Sequence, residues 1–92
     1  MNSFANVHPR PAEGFYIEVV NGEAVLVHPE RNLVLQFNPS ANLLWHLCDG
    51  QRSVGEIVSI LSAVYPETAS EIARDVPQMI ESFLSQGIFI SA

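Results

Sequence analysis

The sequence has no lysine, a single cysteine and few charged residues, and each shortage excludes a class of protein. Four arginines stand against ten aspartates and glutamates, so the formal net charge is −6 at pH 7. Binding to nucleic acid depends on cations that displace counterions from phosphates, and the composition therefore argues against a nucleic-acid partner. The lone Cys48 excludes an internal disulfide framework and is typical of a reducing cytoplasm.

Long hydrophobic runs are absent as well. The longest one covers four residues, 24–27, whereas a membrane span needs ~20 apolar residues. No basic segment followed by an apolar core resembles a secretory signal, so we expect a cytoplasmic protein without membrane contact. A chain of 92 residues with 48% hydrophobic residues has room for one folded domain and its core.

Catalytic and metal-binding patterns are also missing. Cys48 and His46 are two residues apart on a predicted helix, which separates them by ~200° of rotation, so they do not form a nucleophile and its base. The three histidines show no metal-ligand spacing, and without lysine there is no phosphate-binding loop of the Gly-rich type. We expect a protein that is not an enzyme and binds neither metal nor cofactor.

The order of elements begins with an arm. Residues 1–14 contain Pro9, Pro11 and Gly14 and show no apolar period, which predicts a mobile N-terminal segment. The domain is expected over residues 15–92.

Two β-rich runs flank Asn21-Gly22, a strong signal for a type I′ hairpin turn. A two-residue turn places Val20 opposite Glu23, and a third strand over Leu33 to Phe37 continues the alternation. The resulting antiparallel sheet has the order 1-2-3. Its predicted core face consists of Phe15, Ile17, Val19, Ala24, Leu26, Leu33, Leu35 and Phe37.

After Phe37 the apolar period becomes helical, so the fold class is α+β. The first helix has Asn38 as its N-cap and stops at Asp49-Gly50. The second opens with a capping box, Ser53-x-x-Glu56, and ends at Pro66.

The third helix is expected to begin near Thr68 or Ser70 and to end at Gln86, with Gly87 as a left-handed cap. Pro77 lies inside it and predicts a kink or a late start near Asp75. Its apolar arc is wide, with Ile72, Asp75 and Met79 at one margin. One margin can pack on the core while the other lines a groove beside the third strand; a helix enclosed between sheet and helices is the alternative.

The third strand has an open edge. Hairpin parity directs the backbone groups of Val34 and Gln36 outward, and the strand lacks the lysine, proline or bulge that usually protects an edge. This pattern favours β-augmentation by an extended peptide. Two alternatives are that Ile88 to Ile90 covers the edge or that a homodimer does.

Several motifs together resemble the PqqD-like proteins, the leader-peptide recognition elements of ribosomally made, modified peptides. The motifs are Asn38-x-x-Ala41, Leu47-Cys48-Asp49-Gly50, Arg52-Ser53-Val54-x-Glu56-Ile57, Asp75-Val76 and Phe83-Leu84-x-x-Gly87-Ile88. The resemblance implies a winged-helix-like fold of three strands followed by three helices, without catalytic activity. It also implies that the domain binds the leader of a precursor peptide as an added strand and delivers it to a modifying enzyme. In pyrroloquinoline quinone (PQQ) biosynthesis that enzyme is a radical S-adenosylmethionine protein, and in lasso-peptide pathways it is a leader peptidase.

The resemblance and the edge analysis predict one peptide-binding surface between the third strand and the third helix. Its predicted residues are Leu33, Val34, Leu35, Gln36, Phe37, Ile72, Arg74, Asp75, Val76 and Met79. An acidic leader would have to use Arg31 and Arg74 as its cations.

Two other classes remain as alternatives. A winged-helix DNA-binding domain has a similar outline, but a recognition helix carrying Glu71, Asp75 and Glu81 with only Arg74 would repel phosphate. A structural subunit that self-associates through the third strand is the other.

Overall fold

The computed structural model describes residues 3–37 and 39–92. Five strands and three α-helices follow one another along the chain, with 3₁₀ turns at Ser3–Asn6, Pro29–Arg31 and Pro66–Thr68. The strands are β1 (Pro9–Pro11), β2 (Tyr16–Val20), β3 (Glu23–His28), β4 (Leu33–Gln36) and β5 (Phe89–Ser91). The helices are α1 (Pro39–Leu47), α2 (Val54–Val64) and α3 (Ala69–Ser85).

The predicted antiparallel sheet is confirmed, with the order β2-β3-β4. Asn21 and Gly22 have φ angles of 53° and 80°, as the type I′ turn requires, and Val20 pairs with Glu23. The pairing of β3 with β4 follows the predicted register, and it extends to the backbone N–H of Phe37, which donates to the Ala24 carbonyl at 3.0 Å. The α+β fold class is therefore correct.

The core face of this sheet is correct in part. Leu26 and Phe37 are buried, whereas Val19 is 69% exposed and Leu35 is 37% exposed. The prediction was wrong for these two side chains. An alternating pattern assigns a side chain to a face of the sheet, but it does not determine how much of that face the helices cover.

Local signals give the helix boundaries. The capping box of α2 is present, with the Glu56 N–H donating to Ser53 Oγ at 3.1 Å and the Ser53 N–H donating to Glu56 Oε1 at 2.9 Å. The proposed N-cap of α1, Asn38, lies outside the described residues.

Helix α3 runs without interruption from Ala69 to Ser85 with Pro77 inside it. Of the two predicted alternatives, the late start near Asp75 is therefore wrong, and the kink stays a prediction. A proline removes the bond to the carbonyl four residues earlier, which is that of Ala73. Because Ala73 is exposed, water can solvate the freed carbonyl and the helix continues. The helix ends as predicted, and Gly87 has a φ of 76°.

Part of the predicted N-terminal arm, residues 7–11, packs on the domain. Strand β1 pairs antiparallel with β5, placing Arg10 opposite Ile90, and the Val54 N–H donates to the Val7 carbonyl at 2.8 Å. The sequence predicted a mobile arm over residues 1–14 from Pro9, Pro11, Gly14 and the lack of an apolar period. The structure shows that the carbonyls of this segment still accept hydrogen bonds, while its mobility stays a prediction.

Two further observations concern the edge of the larger sheet and the apolarity of the helices. Strand β5 belongs to a second, two-stranded sheet with β1 and leaves β4 at the edge of the larger sheet. In the described ranges, no helix has both the length and the apolarity to cross a membrane.

Candidate functional site

Strand β4 forms an uncovered edge of the three-stranded sheet. Leu33, Leu35 and Phe37 direct their backbone groups towards β3, as the bond from Phe37 to Ala24 shows, so those of Val34 and Gln36 point outward. In the part of the chain that the structure describes, no backbone bond from outside the sheet reaches these two residues. The alternative that Ile88 to Ile90 covers the edge is wrong, because this segment contributes to β5.

Aromatic packing fixes the end of β4 against α3. The rings of Phe37 and Phe83 are stacked, with centroids 5.8 Å apart and planes at 10°. Phe83 also meets Phe89 edge-on at 5.3 Å, and Trp45 contacts both Phe37 and Phe89. The four rings join the residue after β4 to α1, α3 and β5, which gives the edge strand an aromatic base.

Arg31 fixes the other end. Its guanidinium lies over the ring of Phe15, 5.2 Å from the centroid, and its Nη1 is 3.5 Å from the carbonyl oxygen of Gln86. The start of β4 is thereby tied to the end of α3, and Phe37 is tied to Phe83 one turn earlier. The residues that precede and follow β4 therefore both contact the C-terminal part of α3.

Three of the predicted helix residues, Ile72, Val76 and Met79, line one cavity of about 480 Å³ between the three helices. The other lining residues are Leu43, Leu44, Leu61, Tyr65 and Thr68. The lining is mostly apolar, and no residue of β4 belongs to it. The predicted site thus falls into two parts, the edge of β4 and this helical cavity.

The predicted charged residues are engaged within the chain. Arg74 Nε donates to Asp75 Oδ1 at 2.9 Å, with both side chains more than half exposed, and this bond lowers the pKa of Asp75. Neither residue lines the helical cavity. Since Arg31 is held by Phe15 and Gln86, both cations expected to meet an acidic leader already have partners.

The surroundings of Cys48 and His28 indicate structural roles for both side chains. Burial, with a smaller effect of the Asp49 carboxylate, raises the pKa of the Cys48 thiol to about 12, so the thiol stays protonated and is a poor nucleophile. His28 is buried, and its Nδ1 accepts the Arg31 N–H at 3.2 Å. Among the described residues, no three His, Cys, Asp or Glu side chains are grouped as metal ligands.

The sequence did not indicate the opposite wall of the helical cavity, formed by α1 and α2. Leu43 lies at an apolar position of the first predicted helix, Leu61 and Tyr65 lie at apolar positions of the second, and Thr68 is a predicted start of the third. Their helical spacing was the available signal, but it identifies an apolar face and not the residue that meets it across a cavity. Trp45 was missed altogether because its neighbours already completed the apolar stripe of α1.

Comparisons with known proteins agree on one family. The model for Coenzyme PQQ synthesis protein D (PqqD) matches residues 23–88, a range that contains β4 and α3. PqqA binding protein 1 of Pseudomonas putida is 38% identical over 72 residues, which cover 78% of this chain and 76% of that protein. PqqA binding protein of Rhodopseudomonas palustris is 35% identical over 68 residues, which cover 74% of this chain and 65% of that protein. No solved structure matches the chain. Since the family model spans well over half of its residues, the chain belongs to the PqqD family.

Proposed function

We propose that this protein is a non-catalytic module that captures the leader segment of a ribosomally made precursor peptide. The leader adds to β4 as a fourth strand, and the module delivers it to a modifying enzyme in the cytoplasm. The observation that carries this proposal is the bare edge of β4, with the backbone groups of Val34 and Gln36 directed outward.

The chemistry of the edge supports a peptide ligand. Strand addition uses main-chain hydrogen bonds for affinity and side-chain pockets for specificity. Val34 is 67% exposed, so a peptide strand can reach its backbone, and the aromatic base at Phe37 and Phe83 holds β4 in place before the peptide arrives. An edge that is ordered in advance loses less conformational entropy on binding.

The relatives support the identity of the ligand. Several bear the name PqqA binding protein, which makes a PqqA-type precursor in PQQ biosynthesis the first peptide to test. A radical S-adenosylmethionine protein is then the modifying enzyme we expect, with a leader peptidase as the counterpart in a lasso-peptide pathway.

The experiment compares Val34→Pro with the wild type in titrations of a fluorescently labelled synthetic PqqA peptide. Proline removes the outward N–H of Val34 while the bonds from β4 to β3 stay in place. The substitution removes one hydrogen bond to the peptide, and the proline ring obstructs the hydrogen bonds next to it. Binding should therefore weaken about tenfold or more, since ~1.4 kcal/mol corresponds to a factor of ten.

Val34→Thr is the matched control, because it keeps the backbone donor and the β-branched shape. We expect its dissociation constant to stay within about twofold of the wild type, since the side chain points away from the edge. Equal affinities for Val34→Pro and wild type would overturn strand addition. Binding that is lost in Met79→Glu but kept in Val34→Pro would place the peptide in the helical cavity.

A further inference from the structure

A second cavity opens at the turn end of the three-stranded sheet, next to the last residue of β4. Its volume is about 540 Å³. The lining combines apolar groups of Val19, Ala24 and Phe37 with the polar residues Glu23, Gln36 and Asn42. The lining therefore offers an apolar surface together with hydrogen-bonding groups.

The described lining of this second cavity carries a negative charge. Among the described lining residues Glu23 alone is charged, and its Oε2 accepts a hydrogen bond from Gln36 Nε2 at 3.0 Å. Across residues 3–37 and 39–92, the arginines that form ion pairs do so with Asp49 and Asp75. The Glu23 carboxylate thus has a neutral partner and lacks a cation.

We infer that the second cavity receives a lysine or arginine side chain of the peptide that adds to β4, at the position that pairs with or follows Gln36. This inference rests on the proposed function. The methylene stem of such a side chain packs beside Gln36 and Phe37, the lining residues nearest the added strand, and its cationic head donates to the Glu23 carboxylate, which Gln36 already contacts.

The charge of the lining selects a cation over an anion for this position. A strand that pairs with β4 passes Gln36, which lines the cavity, and its side chains therefore come within reach of Glu23. An acidic side chain would instead face Glu23, while Arg31 and Arg74 are held by other groups of the chain. The surface thus selects a ligand with a basic residue near the Phe37 end of β4.

The test is a double-mutant cycle with a synthetic PqqA peptide of Pseudomonas putida. Each arginine of the peptide is replaced in turn by citrulline and each lysine by norleucine, and every peptide is titrated into wild type and Glu23→Gln. One neutral replacement should weaken binding to the wild type about tenfold and leave binding to Glu23→Gln unchanged. Glu18→Gln is the control, because Glu18 is exposed on the same sheet face but does not line the cavity.

A charge exchange gives the second measurement. Glu23→Lys should bind the original peptide more weakly than Glu23→Gln does, and a peptide with glutamate at the identified position should restore the binding. Thermal unfolding of each variant verifies that the fold is kept. If every replacement weakens wild type and Glu23→Gln by the same factor, the inference is overturned and the proposed function stands. If the wild type binds no PqqA peptide, the proposed function fails, and the inference fails with it.

Discussion

The guanidinium of Arg31 lies over the ring of Phe15 while its Nη1 faces the carbonyl oxygen of Gln86 at 3.5 Å. This side chain joins the turn before β4 to the end of α3, and a Cβ at Gly87 would lie 3.4 Å from Nη1, at van der Waals contact distance. Arg31 therefore acts here as a structural cation between the edge strand and the helix.

Removal of this contact should lower stability. We expect Arg31→Ala to reduce the free energy of unfolding by about 1 kcal/mol, the usual size of a partly exposed cation–π contact, and Arg31→Lys to recover part of it, since lysine lacks the planar fork. Urea denaturation measures both. Arg52→Ala, which breaks an exposed pair with Asp49, should cost less than about 1 kcal/mol. A urea midpoint for Arg31→Ala equal to that of the wild type would contradict the structural role of Arg31.

Gly14 is required for two reasons at once. Its φ is 95°, and a Cβ would come within 2.5 Å of Nε2 of the buried His28. We expect Gly14→Ala to lower the free energy of unfolding by at least about 2 kcal/mol, from backbone strain and overpacking together. Gly22 provides the comparison for backbone strain without overpacking, because its φ is also positive but a Cβ there meets nothing within 4 Å.

Gly22→Ala should therefore cost only the strain, about 1 kcal/mol. In a His28→Ala background the clash disappears, and the cost of Gly14→Ala should approach that of Gly22→Ala. Thermal and urea denaturation of the four variants provide the comparison. Equal losses at both glycines in the wild-type background would show that the approach of His28 has no energetic effect.

The capping box of α2 predicts a dependence of stability on pH. The Ser53 backbone N–H and then its hydroxyl hold the Glu56 carboxylate and lower its pKa in the folded protein. A carboxylate with a lowered folded pKa stabilises the fold above its unfolded pKa, and this stabilisation is lost as the pH falls through the folded pKa. Wild type should exceed Glu56→Gln in stability at pH 7, and the difference should disappear towards pH 2.

Denaturant titrations of the two proteins over this pH range measure the difference. Glu81→Gln is the control, because Glu81 is an exposed residue within α3 and has no capping role. A difference in the free energy of unfolding between wild type and Glu56→Gln that stays constant with pH would contradict the role of the carboxylate charge.

The features that the sequence predicted are those determined by neighbouring residues. Asn21-Gly22 sets the hairpin register through its own backbone angles, and Ser53 and Glu56 form the capping box within four residues. The open edge of β4 followed from the same register, so the strand half of the candidate site was accessible to sequence reasoning.

The features that it missed depend on distant contacts. Pairing of β1 with β5 joins Pro9 to Ser91, and nothing near Pro9 indicates a partner at the other end of the chain. Helical periodicity identified Ile72, Val76 and Met79 as apolar positions, but the opposite wall with Leu43 and Tyr65 results from how three helices meet. Val19 shows the opposite error. The alternating pattern assigns it to the core face of the sheet, but in the described part of the chain no helix covers its side chain.

The β1 segment gives the last prediction, which tests whether residues 1–14 act as an arm. In the structure the Gly50 N–H donates to the Pro9 carbonyl at 2.9 Å and the Val54 N–H to the Val7 carbonyl at 2.8 Å. Pro9 itself is buried. A chain that starts at Glu13 loses these acceptors and β1, the partner of β5, so we expect a loss of about 3 kcal/mol or more in the free energy of unfolding.

Urea denaturation of the full chain and the shortened chain measures this loss, and hydrogen exchange at Gly50 and Val54 locates it. Both amides should be protected in the full chain and exchange rapidly in the shortened one, because their acceptors lie in the removed segment. The amide of Ile57, which donates to the Ser53 carbonyl, is the internal control. Unchanged stability together with unprotected amides in the full chain would instead establish residues 1–14 as a mobile arm and 15–92 as the folded domain.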